Sequence, residues 1–421
     1  MSPLQLASLL AVTAALFGWV SVRWLRIPIT IGTMLLTVIA SVGLELASTR
    51  APGLHPWALR LVQQLDFEGL ILHFWLALLL FAGAFLLDLK GLVEQRLVVA
   101  TLAIGGTVLT AGAVAALMYG ALHLLGVDAD WLACLIFGAL ISPTDPIAVL
   151  EMLRRVGISP RLQAQLAGES LFNDGIGAVL FITLLEVAKG SSPSVGHIAG
   201  FLLLEVGGAT LLGIGAAWFT SWLMSHILAY QVELLLTVAL ALGGYALAEI
   251  LHLSAPLEAV IAGIALRYFN AQHPRHRIAH ESLDRFWEVI DELQNAVLFV
   301  LLGIEVLAIP IARAGVESGV MAVAVVLGVR FGVVALLLCA LRVCGQRFTS
   351  SVGVLGWGGL HGGLSLALAL SLPAGATTKW LLPATYSVVL FSVLVQGGSM
   401  PLVLRRFGGR HQELPQAESV A

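Results

Sequence analysis

Apolar runs of about twenty residues recur along this chain from one end to the other, and no other feature constrains its folding as much. A helix rises 1.5 Å per residue, so each run is long enough to cross about 30 Å of hydrocarbon. Charge is correspondingly scarce. Only 11% of the 421 residues are charged and 59% are hydrophobic, with a mean hydropathy of +0.96. A water-soluble domain carries about 25% charged residues, so this chain cannot clothe a water-facing surface. In lipid every backbone polar group must be satisfied within its own segment, which selects helices for runs of this length. The expected fold class is an all-α polytopic membrane protein.

The spans are placed at 4–22, 28–47, 67–87, 97–122, 130–153, 165–188, 198–225, 233–251, 255–270, 286–309, 316–342, 350–372 and 381–404, thirteen in all. Loop charge supports the count. With thirteen crossings, sixteen of the 22 Lys and Arg residues fall in loops on the side of the C-terminus. Five (Arg50, Arg60, Lys189, Arg313 and Lys379) fall on the other side, and Arg330 lies inside a helix. Cytoplasmic loops carry the excess of Lys and Arg, so the C-terminus is expected in the cytoplasm and the N-terminus outside, in a plasma (inner) membrane. Residues 1–408 form a single expected transmembrane unit and 409–421 a short cytoplasmic tail. The first basic residue, Arg23, follows the first apolar run, unlike a cleavable signal peptide. Cys134, Cys339 and Cys344 all sit in apolar runs, against a disulfide framework or a zinc site. The net charge of −3 does not suggest a nucleic-acid partner, and no cofactor motif stands out.

Two spans are interrupted. The fifth reads LIFGALISPTDPIAVL, with Pro143 and Pro146 bracketing Thr144 and Asp145; the twelfth reads GWGGLHGGLSLALAL, with glycines around His361. Proline removes backbone donors and glycine loosens the helix, so both are expected to break near mid-membrane. They lie seven helices apart, which pairs spans 1–6 with 8–13 around a connecting seventh. Interrupted helices in corresponding positions of two halves point to a transporter of inverted repeats with its site between them. The plainer reading is two ordinary helix kinks.

Polar groups gather at that depth. Counted from Gln165, Asp174 lies about 13 Å into its helix, level with Thr144, Asp145, Arg330 and His361. Ionisable groups at mid-membrane are costly, so several at one level imply pairing or a water-filled cavity. The sixth span carries GESLFNDG. Ser170 and Asp174 are four apart on one helix face, and Glu169 and Asn173 form a second pair on the neighbouring face. A hydroxyl and a carboxylate on one face are hard oxygen ligands for a small alkali cation, and an unwound stretch at Thr144 would add backbone carbonyls. Arg330 is the one intramembrane base. If it neutralises Glu169, Asp174 is left uncompensated.

These motifs resemble the sodium/proton antiporters of the cation/proton antiporter superfamily, in the NhaP and NHE branch. The likeness extends over nearly the whole chain: SPTDP, GESLFNDG, FWEVIDELQNAVLFVLLGIE and GGLHGGLSLALALSLP, with LLLFAGAFLLDL in the third span matching a bacterial subset. It implies crossed, broken helices 5 and 12, a core domain near 97–188 and 316–404, and a dimerisation domain near 1–66 and 198–309 in a homodimer. By the same resemblance Asp174 binds sodium and proton in alternation, with Ser170 and the Thr144 carbonyl as further ligands. Glu169 is then a structural acid held by Arg330, Asn173 steadies that pair, and Asp145 balances the positive ends of half-helices at the crossing, in keeping with helix dipoles. The asparagine–aspartate order at Asn173-Asp174 resembles the electroneutral members.

The chain departs from the family pattern twice. Ala82 stands where some members have a cation-binding glutamate, and His361 stands where an arginine is usual. A neutral His361 bonded to freed carbonyls is one reading of the second change; a histidine whose protonation sets the pH response is the other. The expected activity is one-for-one exchange of sodium or lithium for a proton, with proton and cation competing at Asp174. Potassium/proton exchange on the same scaffold stands as the alternative. A cation channel suits mobile broken helices less well. A membrane enzyme is disfavoured because no HExxH pair is present and Ser170 with His361 lacks a nucleophile motif.

Overall fold

The computed structural model describes residues 3–48, 74–127, 129–145, 149–150, 160–189, 195–227, 229–272, 277–305, 313–345, 351–372 and 378–407. The remainder, including the expected tail at 409–421, the start of the third expected span and Pro146, lies outside the described residues. The described fold is helical: α1 (Pro3–Val20), α2 (Ile29–Ser48), α3 (Leu76–Phe85), α4 (Arg96–Leu124), α5 (Trp131–Ile141), α6 (Pro160–Ala188) and α7 (Val195–Met224). It continues with α8 (Tyr230–Ile250), α9 (Ala255–Ala271), α10 (Arg277–Glu305), α11 (Arg313–Val343), α12 in two halves (Val352–Gly358 and Gly363–Leu370) and α13 (Lys379–Phe407). Among the described residues, eight of these helical stretches are long and apolar enough to span a bilayer unaided.

Local chemistry sets many of the ends. Ser254 and Ser351 cap α9 and α12 by accepting from the backbone N–H groups of Leu257 and Val354. After α8 the chain turns through His252 at φ 54°, and Leu253 N–H returns to the carbonyl of Ala248 at 2.8 Å. Two helices begin five or more residues earlier than expected. α6 starts at Pro160 rather than near 165, and α10 at Arg277 rather than 286. The first turns of α10, RIAHESLDRF, are too polar to register as hydrocarbon-spanning sequence. They still support an amphipathic helix.

The side chains pack into two apolar clusters. The first joins α4, α5, the second half of α10, and α11 to α13, with Leu10 and Ala14 of α1, Ile31 and Met34 of α2, and Leu162, Leu166 and Phe181 of α6. The second joins α3, α7, α8, α9 and the first half of α10, around Phe81, Phe85 and Trp287, and includes Leu171 of α6. Thus α6 and α10 each reach both clusters. α2 lies against the far half of α10, where Ser41 donates to the Gly303 carbonyl at 2.9 Å.

Candidate cation site

α5 and α12 are both interrupted, and they cross at their breaks. Residues 142–145 leave the helix after Ile141, and Gly359–Gly362 separate the halves of α12. At the crossing Asp145 N–H donates to the Leu360 carbonyl at 2.7 Å, forming an isolated antiparallel bridge. The two breaks therefore satisfy part of each other's freed backbone, which is how unwound chain is tolerated inside a membrane protein. Glycine makes the approach possible. A Cβ on Gly362 would lie 2.7 Å from the Asp145 Cβ, and one on Gly359 would lie 2.8 Å from the Arg330 Cζ. His361 is buried and donates from Nδ1 to the Pro143 carbonyl at 3.0 Å, so it too ties one break to the other.

α6 passes beside the crossing. Asp174 is fourteen residues from Pro160 and fourteen from Ala188, at the centre of the 29-residue helix. Ser170, one turn earlier, donates to the Thr144 carbonyl. Asn173 holds Thr144 from both ends: its Oδ1 accepts from the Thr144 N–H at 3.2 Å, and its Nδ2 donates to the Thr144 hydroxyl at 2.8 Å. The resemblance assigned Asn173 to the Glu169–Arg330 pair. The structure places its amide on Thr144, because α5 unwinds there and exposes a backbone donor that a side-chain amide can reach.

Glu169 and Arg330 meet on the other side of α6. Arg330 Nη1 donates to Glu169 Oε1 at 2.5 Å, and Nη2 donates to the Leu355 carbonyl at 3.1 Å. Glu169 is 1% exposed and Arg330 5%. An ion pair this deep is tolerated only because each charge is compensated in place.

Asp174 has a different setting. It is half-buried and faces a cavity of about 440 Å³ shared with Thr144, Asp145 and Ser170. No hydrogen bond or ion pair to its carboxylate is found among the described residues. The cavity extends past Ala167 and Gln163 towards the start of α6, about 16 Å along the helix. Its outer wall carries Asp88, which follows α3, and Glu288, Asp291 and Glu292 of α10. Asn295 orients Asp291 by donating to its Oδ1 at 3.2 Å. The α3 wall is apolar at greater depth, where Leu79, Leu80 and Gly83 line it. Ala82 is fully buried beside them.

The motif reading passed over the acidic residues of the outer wall. Their signal was present in FWEVIDEL, where Glu288, Asp291 and Glu292 recur at helical spacing on one face. It also passed over Glu258 of α9, which is fully buried with neither carboxylate oxygen bonded, and Ser365 of α12.

A half-buried carboxylate in a polar cavity, beside two interrupted helices that cross within an apolar bundle, defines the architecture of a secondary transporter. The chain belongs to the sodium/hydrogen exchanger family: the model described as "Sodium/hydrogen exchanger, transmembrane" matches residues 11–406. Membership places it among multi-pass membrane transporters rather than enzymes. It is 38% identical over 416 residues to the Na(+)/H(+) antiporter NhaP of Pseudomonas aeruginosa, covering 97% of each chain. It is 31% identical to the Na(+)/H(+) antiporter NhaH of Halobacillus dabanensis, covering 87% of this chain and 90% of that one. The fold superposes on the sodium proton antiporter MjNhaP1 of Methanocaldococcus jannaschii with a TM-score of 0.76 at 20% identity, covering 97% of this chain and all of that one.

Proposed function

We propose that this protein exchanges sodium or lithium for protons, one for one, by alternating access at Asp174. The observation that carries the reading is the uncompensated Asp174 carboxylate at the midpoint of α6, facing a polar cavity. The Thr144 carbonyl and Ser170 hydroxyl stand beside it, while Glu169, in the same motif of α6, is neutralised by Arg330. Hard oxygen ligands and one negative charge suit a dehydrated alkali cation. Membership of the family and relatives named as Na(+)/H(+) antiporters support the same substrates.

The chemistry is competition for one carboxylate. A bare carboxylate is too costly to carry through an apolar barrier, so the site moves only when a proton or a cation neutralises it. Asn173 holds the unwound Thr144 segment in place against α6, and Asp145 supplies negative charge beside the N-terminus of the second half of α12. The mobile body is the core centred on α4 to α6 and α11 to α13. The α7–α9 side is the fixed one, and it forms a homodimer.

The cavity lies towards the start of α6, the start of α10 and the end of α3. Loop charge assigns those ends to the cytoplasm, with the N-terminus outside and thirteen crossings of the plasma membrane. On that assignment the structure is open to the cytoplasm, and the acids of the outer wall draw cations inward.

The test uses sealed vesicles with an acid interior, challenged separately with sodium, lithium and potassium. Sodium or lithium should dissipate the gradient, and Asp174→Asn should abolish the response. Dissipation by potassium alone would keep the mechanism and change the substrate. A cycle driven by membrane potential alone would overturn one-for-one exchange.

A further inference from the structure

Two buried hydroxyls among the described residues, those of Thr30 in α2 and Ser365 in α12, have no hydrogen-bond partner. In lipid-facing or buried helices a Ser or Thr hydroxyl ordinarily bonds back to the carbonyl one turn earlier. Thr33, Thr37, Thr183, Ser371, Thr385 and Ser387 all do so here. Ser365 is 1% exposed, and its Oγ has no hydrogen-bond partner. It is the third residue of the second half of α12, so the carbonyls one turn back belong to His361 and Gly362 in the unwound segment. Gly362, the residue before that half, is extended, at φ −116° and ψ −153°.

Ser365 is one of the residues lining the cavity that contains Thr144, Ser170 and Asp174. At this depth the α3 wall offers no side-chain oxygen, since Leu79, Leu80 and Gly83 line it. An alkali cation stripped of water needs several oxygens around it. α5 and α6 supply theirs from one side. Resting on the reading of Asp174 as the cation site, we infer that Ser365 is a further cation ligand, contributed by α12. Its lone pairs face the bound sodium or lithium while its proton turns to water or to Asp174. The cation is then held between α6 and both broken helices. A proton on Asp174 needs no such neighbour, so Ser365 acts on cation binding and not on proton binding.

The test measures exchange by the full-length protein in vesicles for the parent, Ser365→Ala, Ser365→Thr and Asp174→Asn. Ser365→Ala should raise KM for sodium and lithium about five- to tenfold, the scale of one neutral polar contact, with the maximal rate near that of the parent. The pH of half-maximal exchange at saturating cation should not move. Thermal stability without cation should not fall, because the hydroxyl has no bond to lose, but the stabilisation by added sodium should shrink. Ser365→Thr should restore KM. A Ser365→Ala variant with parental KM and parental stabilisation by sodium overturns the inference, as does one that lowers only the maximal rate. A parent without cation-dependent proton movement, or an active Asp174→Asn, overturns the reading of Asp174 itself.

Discussion

Two faces of α6 treat a carboxylate in opposite ways. On one, Glu169 is sealed against Arg330, which is anchored in turn to the Leu355 carbonyl of α12. On the other, five residues later, Asp174 faces a cavity with hydroxyl and carbonyl oxygens as neighbours. Both acids sit in the same helix and the same motif. On the proposed reading of Asp174, the difference teaches that function depends on withholding a partner. Arg330 is spent on Glu169, which leaves the Asp174 charge to be met by whatever enters from solution.

Substitutions can break or sharpen that contrast. The largest effect on transport is expected from Asp174→Asn, which removes the exchangeable charge. Cation-dependent proton movement should fall at least about a hundredfold, about 2.8 kcal/mol on the 1.4 kcal/mol-per-decade scale, while the melting temperature stays near that of the parent. Thermal melting beside vesicle exchange checks both halves. The opposite pattern is expected on the other face. Arg330→Gln leaves Glu169 buried and uncompensated, at a cost of about 3–5 kcal/mol. It should lower the melting temperature sharply, and adding Glu169→Gln should recover part of the loss; a double variant no more stable than the single would show that the pair is not the reason.

Smaller effects should follow at the crossing. Asn173→Ala deletes two hydrogen bonds to Thr144, at about 1 kcal/mol each. It should weaken cation binding about tenfold without abolishing exchange, as read from KM for sodium. His361→Asn is expected to do least, because an amide nitrogen can replace the imidazole Nδ1 that donates to Pro143. Exchange should stay within about threefold of the parent and the pH profile should keep its shape. A displaced profile would show that protonation of His361 takes part in the response.

Much of this was legible before any coordinates. The long apolar runs dictate helices, and Pro143 and the glycines around His361 mark both breaks, because each acts on its own backbone. The i to i+4 spacing of Ser170 and Asp174 put both on one face, and both line the cavity. Spacing alone misleads for Glu169 and Asn173. They share a face, yet one bonds to α11 and the other to the unwound end of α5. The start of α10 was misplaced because hydropathy detects lipid contact and is silent on an amphipathic turn outside it.

The sequence by itself determined the helical, membrane-spanning class, the two interruptions and the acids available at mid-depth, since these follow from local hydropathy, backbone chemistry and helical period. Only the tertiary structure decided which acid is paired, that the breaks meet at Asp145 and Leu360, and that the Ser365 hydroxyl is left without a partner. Those outcomes depend on distances between segments remote in the chain, from Glu169 to Arg330 or from Pro143 to His361. Packing, not local propensity, sets such distances.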